Sequence, residues 1–316
     1  MKKTYDNFIS WKKFQEYFPE EYRITKDNKP KETYWEWKDY SIHLDRYIPK
    51  KDNKKFKIIL IHGGGGNGRL LSPIGVALCA RGYELIAPDL PGFGLTKIRK
   101  ANSYYTWINL LDNLIDKELK DSNKEIILCG ASLGGMLAYQ VACINKKVKG
   151  LIVTSLADTT KERVQIQLSK TKIIGNFAVP LLKKLGTITD NIKIPIKITT
   201  KMWAMANDKS FVKKLMKDRV GSGSWVYIKF LRTLFDAKAE VEPENFTQCP
   251  LLFIQPEKDY IIPWHISKPF YDRLACKKEV VILENCGHIP LEEPGINQLK
   301  EATIKFIEHL EKKEYV

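Results

Sequence analysis

The sequence predicts an α/β fold, a mostly parallel sheet with helices on both faces. Three observations carry that expectation. Strand-like and helix-like segments alternate from about residue 56 to 157, the rhythm of parallel strands joined by crossover helices. The run KFKIILIHG is apolar without a break and ends in glycines, as a strand buried on both faces does. The strand KEIIL then passes into the helix LGGMLAYQVA through Gly130-Ala131-Ser132-Leu133-Gly134, a strand-to-helix turn with glycine two places either side of a serine.

Along the chain, residues 1–31 are polar and charged, with Trp11, Phe14, Tyr17 and Phe18 at loose helical spacing. That spacing predicts an N-terminal helix docked on the body. YWEWKDYSIHLDRYI, residues 34–48, alternates like a strand pair. After KIILI come the helix RLLSPIGVALCARG, the strand YELIAPD, the helix SYYTWINLLDNLIDKELK, the strand KEIILCGAS, its following helix, and the strand KVKGLIVTSLAD. The rhythm breaks near residue 158 and resumes near 249. Between lie apolar helical segments, among them IIGNFAVPLLKKL, FVKKLMKDRV and the stretch from Trp225 to Leu234. CPLLFIQPE, a helix over about 264–276, KEVVILENC and an amphipathic helix to about 312 complete the pattern. The predicted organisation is one α/β body, 1–157 with 246–316, carrying a helical cap insertion at 158–245, with 1–31 as a helical extension.

The 316 residues are 44% hydrophobic and 28% charged, which excludes global disorder. No run of about 18 apolar residues occurs, so no membrane-spanning helix is expected. The N-terminus has a signal peptide's lysines without its apolar stretch, and the reading is a cytoplasmic protein. The six cysteines form no C-x-x-C pair and several sit in apolar runs, so free thiols in a reducing compartment are expected. No H-E-x-x-H or comparable ligand cluster appears, and no metal or cofactor is expected. The net charge is +15, and residues 161–245 hold 17 Lys and Arg against 8 Asp and Glu. The basic residues are scattered, not blocked, which favours a solvated lysine-rich surface over nucleic-acid binding. Peripheral contact with an anionic membrane stays open.

Ser132 carries the sharpest chemical signal. Glycines at 130 and 134 allow a turn so tight that side chains there would collide, and the serine would project above the sheet at a helix N-terminus. The loop His62-Gly63-Gly64-Gly65-Gly66-Asn67-Gly68 follows the strand KIILI. Its backbone can approach a reacting oxygen closely, so the candidate oxyanion donors are the N–H of Leu133 and one from Gly64 or Gly65. A rival reading exists: Gly63, Gly65 and Gly68 satisfy G-x-G-x-x-G, with Asp89 about 20 residues on, a dinucleotide fingerprint. Against it, strands precede the motif, and it leaves the serine turn unexplained. The candidate acid is Asp259, after the strand CPLLFIQ, with Glu257 and Asp158 as competitors on the same rim. The candidate base is His288, past the last strand and after both Ser132 and Asp259 in chain order. His309 falls in the terminal helix, His265 close behind Asp259, His43 in the early strand pair, and His62 in the glycine loop, where a structural hydrogen bond is expected.

These features in this order, with Asp89-Leu90-Pro91-Gly92-Phe93-Gly94 as the turn after a strand, resemble the α/β-hydrolase family over about residues 34–312. The resemblance implies an eight-stranded, mostly parallel sheet, a helical cap over the active site, and a Ser-Asp-His triad that needs no cofactor. Serine at position 132 argues against the haloalkane dehalogenases and epoxide hydrolases, which place aspartate there. The HGGGG loop and the ASLGG turn look like carboxylesterases and monoacylglycerol-lipase- or lysophospholipase-like enzymes. The reaction expected is cleavage of a small-molecule carboxylic ester through an acyl-enzyme on Ser132. Leu133 stands where proline iminopeptidases usually carry Trp, which weakens that option. Thioesterases and carbon–carbon hydrolases share the triad, and a non-catalytic ligand-binding protein on the same fold is the alternative from another class. In the insertion, Trp203, Phe177 and Trp225, with Met202, Met205, Leu181 and Leu182, are candidates for an apolar acyl pocket with a cationic rim suited to anionic amphiphiles. The competing reading is that they glue the cap to the body.

Overall fold

A computed structural model describes residues 2–315, leaving out the side chain of Lys183. One sheet runs through the molecule. Its strands are β1 (Lys31–Trp37), β2 (Tyr40–Tyr47), β3 (Phe56–Ile61), β4 (Glu84–Pro88), the two-residue β5 (Lys97–Ile98), β6 (Glu125–Ala131), β7 (Val148–Thr154), and, after a long segment that carries the separately paired β8 (Lys193–Pro195) and β9 (Trp225–Tyr227), β10 (Leu251–Pro256) and β11 (Lys278–Leu283). The order across the sheet is β1-β2-β4-β3-β6-β7-β10-β11, with β5 hanging on β2 as a ninth strand. β1, β2 and β4 pair antiparallel, and from β4 to β11 every pairing is parallel.

The unbroken apolar runs have a direct cause. Ile58 and Leu60 of β3 enter one core cluster with Val76, Leu78, Ile304 and Ile307, while Ile59 and Ile61 enter the other with Leu110, Leu114, Leu137 and Val141. A strand covered on both faces has no polar position to spare. The helices that supply those covers are α2 (Ser72–Ala80) and α11 (Gly295–Glu311) on one face, and α3 (Tyr104–Lys120), α4 (Leu133–Ile144) and α10 (Trp264–Arg273) on the other. The register aligns Ile61 with Gly130, Gly130 with Val153, and Ile254 with Thr154. The loops leaving β3, β6, β7, β10 and β11 therefore open on one rim.

Two expectations need correction in detail. The N-terminal segment docks through Trp11, Phe14 and Phe18, but as α1 (Ile9–Phe14) with flanking 3-10 turns, not as one helix. Pro19 disfavours helical backbone at Phe18, which is extended, so the segment cannot run on as one helix. The segment between β7 and β10 is mostly helical, with α5 (Glu162–Leu168), α6 (Val179–Leu185), α7 (Ile196–Thr199), α8 (Lys209–Leu215) and α9 (Ile228–Asp236). It also contains an antiparallel ribbon in which Ile194 faces Val226. Three-residue strands are too short to show an alternation. All six cysteines are free. Among the described residues, no helix is long and apolar enough to cross a membrane.

Candidate active site

Ser132 stands between β6 and α4 with φ 55° and ψ −124°, a conformation that costs about 1–3 kcal/mol outside glycine. The neighbours show why the turn demands glycine. A Cβ on Gly130 would lie 2.1 Å from the Gly134 carbonyl oxygen, and one on Gly134 would lie 2.3 Å from that of Ile61. The backbone N–H of Ser132 donates to Thr154 Oγ1 at 3.0 Å. This brace from the end of β7 was not foreseen, since nothing in the local sequence distinguishes one strand-end threonine from another.

The structure brings Ser132, His288 and Asp259 together. Ser132 Oγ lies 2.8 Å from His288 Nε2, and His288 Nδ1 lies 2.7 Å from Asp259 Oδ2. Asp259 is buried, and its second oxygen accepts the N–H groups of Ile261 and Ile262 at 2.9 and 2.8 Å. Those bonds leave Oδ2 aimed at the imidazole, so Nδ1 carries the proton and Nε2 offers its lone pair to the hydroxyl. The His288 loop is tied down as well, for Ile289 N–H donates to Met205 O at 2.8 Å. The competing acids are elsewhere: Glu257 accepts the N–H of Asn285, and Asp158 accepts the N–H and the hydroxyl of Thr160. His265 is exposed, and His309 sits beside Glu314.

The glycine loop lies against this centre. A Cβ on Gly63 would be 2.8 Å from Ser132 Cβ. Gly64 lines both cavities that meet at Ser132, whereas Gly65 lines neither, turning at φ 77° towards Met202 and Ser222. Of the two loop residues considered, Gly64 is the one that borders the space in front of Ser132. His62 is buried and structural: its Nδ1–H donates to Gly63 O at 2.8 Å, and its Nε2 accepts the N–H of Leu90 at 2.9 Å. Burial holds the imidazole below its ordinary pKa, consistent with a neutral ring.

The larger cavity, about 350 Å3, is lined by Leu133, Leu168, Ile194, Ile196, Leu231 and Leu234 among others. The smaller, about 110 Å3, lies between the glycine loop, Ile74, Leu291 and Leu299. Cys129 lines it, but burial pushes its thiol up to about 12, so it offers no thiolate to compete with Ser132. Met202, Met205, Leu181 and Leu182 line the larger cavity. Trp203 and Phe177 do not: they are 57% and 71% exposed, on the outer side of their segments. Trp225 lines a separate groove. Their apolar character and their place in the insertion singled these aromatics out, and neither tells the inner from the outer side of a short segment.

Asp89 is also placed. It is fully buried and accepts the N–H groups of Gly68 and Leu95, each at 2.7 Å, and the hydroxyl of Tyr5 at 2.9 Å. A carboxylate so engaged has no oxygen left for a ribose, and the dinucleotide reading loses its acid. Beside it, Glu32, His43 and Asp45 offer ligand atoms within 4.8 Å of one another, a possible metal cluster by spacing. The guanidinium of Arg69 already supplies the cation there, at 2.5 Å from Asp45 and 3.2 Å from Glu32.

Residues 52–295 match the family described as serine aminopeptidase, S33. The chain belongs to this family, and it has the α/β-hydrolase fold. Over 102 residues it is 35% identical to a pimeloyl-[acyl-carrier protein] methyl ester esterase of Legionella pneumophila, a match spanning 32% of this chain and 36% of that protein. The chain thus covers about a third of the length of that esterase. It is 27% identical over 268 residues, 79% of this chain and 83% of the relative, to a 2-hydroxy-6-oxo-6-(2'-aminophenyl)hexa-2,4-dienoic acid hydrolase of Metapseudomonas resinovorans. Among solved structures, a monoglyceride lipase of Saccharomyces cerevisiae superposes with TM-score 0.75 at 16% identity, covering 93% of this α/β-hydrolase and 98% of the yeast chain. A monoacylglycerol lipase of Paleococcus ferrophilus gives 0.67 at 22%, covering 85% and 99%.

Proposed function

We propose that the protein hydrolyses carboxylic esters of an apolar acyl group and a small alcohol, through an acyl-enzyme on Ser132. The observation that carries this reading is the unbroken relay from Asp259 through His288 to Ser132 at the meeting point of two cavities. His288 takes the hydroxyl proton as Ser132 Oγ attacks the acyl carbonyl carbon. The carbonyl oxygen becomes an oxyanion held by the N–H groups of Leu133 and Gly64. The C–O bond to the alcohol then breaks, and the alcohol leaves with the proton from His288. Water gives a proton to the same imidazole and attacks the acyl carbon; the C–O bond to Ser132 Oγ then breaks, His288 returns the proton to Oγ, and the acid leaves. Residues 158–245 act as the cap, since they wall the larger cavity, which takes the acyl chain; the smaller takes the alcohol.

The cavity linings favour an ester over the peptide and carbon–carbon bonds open to such a relay. Among the described residues that line either cavity there is no Asp, Glu, Lys or Arg. A peptide's free amine would have no carboxylate to meet, and a dienoate would have no cation. The methyl ester esterase and monoacylglycerol lipases it resembles bear names that fit a small alcohol. The free thiols support a reducing compartment, the cytoplasm.

Fluorophosphonate labelling tests the reading, with wild type beside Ser132→Ala. Stoichiometric labelling of the first and none of the second is expected, followed by kcat/KM that rises from acetyl to octanoyl p-nitrophenyl esters. A folded wild type that takes no label, or a flat chain-length series, would overturn it.

A further inference from the structure

A second concave space lies outside the reaction. It is a groove of about 660 Å3 between the Gly92-Phe93-Gly94 turn and the segments 193–197 and 216–225. Ser132, Leu133, Asp259 and His288 do not line it. Four cations do: Lys193, Lys197, Lys217 and Arg219, all exposed. Among the described residues none of the four has a carboxylate within ion-pairing distance, and Lys193 Nζ instead sits 4.6 Å above the Tyr227 ring. Asp218, the acid of the neighbouring turn, is buried and accepts a bond from Ser10 Oγ, outside the groove lining.

Two further observations point to a ligand. Ser224 lines the groove and is 5% exposed, yet its hydroxyl has no hydrogen-bond partner. Leaving a buried hydroxyl unpaired is unfavourable, and a ligand oxygen in the groove would supply the missing partner after a rotation of the side chain. Trp225 presents its indole at the groove, 58% exposed, and an exposed tryptophan among cations is a surface that stacks on a flat organic body. The groove is set apart by a wall. Lys193 and Lys197 face it, while Ile194, Ile196 and Ile198 of the same segment line the acyl cavity.

We propose that this groove binds a small soluble organic phosphate, its charged end among Lys193, Lys197, Lys217 and Arg219 and its body against Trp225. Four like charges in one concave space repel one another, and a ligand with two or more negative charges offsets that repulsion, as ammonium and guanidinium groups do around phosphates. The volume is that of a small-molecule site. The inference does not depend on the esterase reading, because its test reads binding and not turnover.

Isothermal titration with ADP and with pyrophosphate at low ionic strength decides it. Saturable one-to-one binding is expected, with a Kd of about 1 mM or tighter. Lys197→Glu/Arg219→Glu should weaken both ligands tenfold or more, while Lys277→Glu/Lys305→Glu, the same charge change by the far edge strand β11 and on α11, leaves both unchanged. Trp225→Ala should weaken ADP and spare pyrophosphate. No saturable binding, equal weakening by the two double variants, or binding to phosphatidylglycerol vesicles without binding of either soluble ligand would overturn the proposal.

Discussion

Two buried histidines of this protein each sit among carboxylates, and they are put to opposite ends. His288 has one acid, Asp259, on Nδ1, a serine hydroxyl on Nε2, and two cavities in front of it. His43 has Glu32 at 2.9 Å, Asp89 at 3.0 Å and Asp45 at 3.8 Å, the rings of Tyr5 and Tyr34 each 5.2 Å away, and Arg69 bound to two of the same acids. Burial by itself would lower the His43 pKa, but the facing charges of Asp89, Glu32 and Asp45 prevail and raise it to about 10. The imidazole there is a fixed cation. The same residue types thus leave one nitrogen facing a hydroxyl at His288, the arrangement proposed to shuttle a proton, and set anions on both sides of the ring at His43, a structural ion cluster.

The widest separation between the two centres should appear in turnover. Asp259→Asn keeps the shape of the relay but lets His288 adopt the wrong tautomer. A loss of about 10⁴-fold in kcat is expected, with a melting temperature close to wild type. Removing a partner in the other cluster should do the reverse. Arg69→Met leaves Asp45 and Glu32 buried without their guanidinium, which costs about 3–5 kcal/mol of stability. The kcat of the folded fraction should stay near wild type, apart from any shift of the glycine loop through Gly68, whose N–H the cluster holds. Urea unfolding beside ester hydrolysis measures both. Comparable losses of turnover in the two variants would mean the cluster belongs to the reaction.

How much of each centre was legible in the sequence follows from how each is held. Ser132 is announced by Gly130 and Gly134, because backbone atoms of Gly134 and Ile61 occupy the space a Cβ would need. His288 and Asp259 are announced by chain order and by their place after strands. Sterics and topology leave marks on local sequence. The ion cluster leaves almost none, since Tyr5, Glu32, His43, Asp45, Arg69 and Asp89 come from five separate segments, and each alone reads as an ordinary residue. Asp89 even invited a ribose reading, although its carboxylate sits where a Cβ on Gly94 would fall, 2.1 Å away. The inner side of the segment between β7 and β10 was equally hidden: Ile194 and Ile196 line the cavity and the larger Trp203 does not, because short segments carry too few turns to fix a face.

The cluster also sets a smaller, pH-dependent difference. In the unfolded chain His43 titrates near 6.5, and in the folded protein at about 10. The folded state therefore holds an extra proton between those values. The stabilisation is complete below the unfolded pKa and is lost as pH rises through the folded one. Chemical denaturation at a series of pH values should show stability falling from about pH 7 towards 10, and His43→Gln should flatten that limb. An unchanged limb in the variant would assign it to other groups.

The mildest change is Tyr5→Phe. It removes one hydroxyl from Asp89 Oδ2, which keeps the N–H of Leu95 and the charge of His43. The loss should be about 1 kcal/mol, with Asp259 and turnover untouched. Tyr5 is the only member of the cluster that comes from the segment ahead of β1, so the substitution asks whether that segment is fastened by the cluster or by its apolar contacts. Phe14 and Phe18 are buried against Phe211, and Trp11 packs on both of them as well as on the Tyr5 ring, which the substitution keeps. Hydrogen exchange over residues 9–18 should accordingly stay protected in Tyr5→Phe. Deprotection of that stretch would show that the ion cluster, not the aromatic packing, holds the N-terminal segment in place.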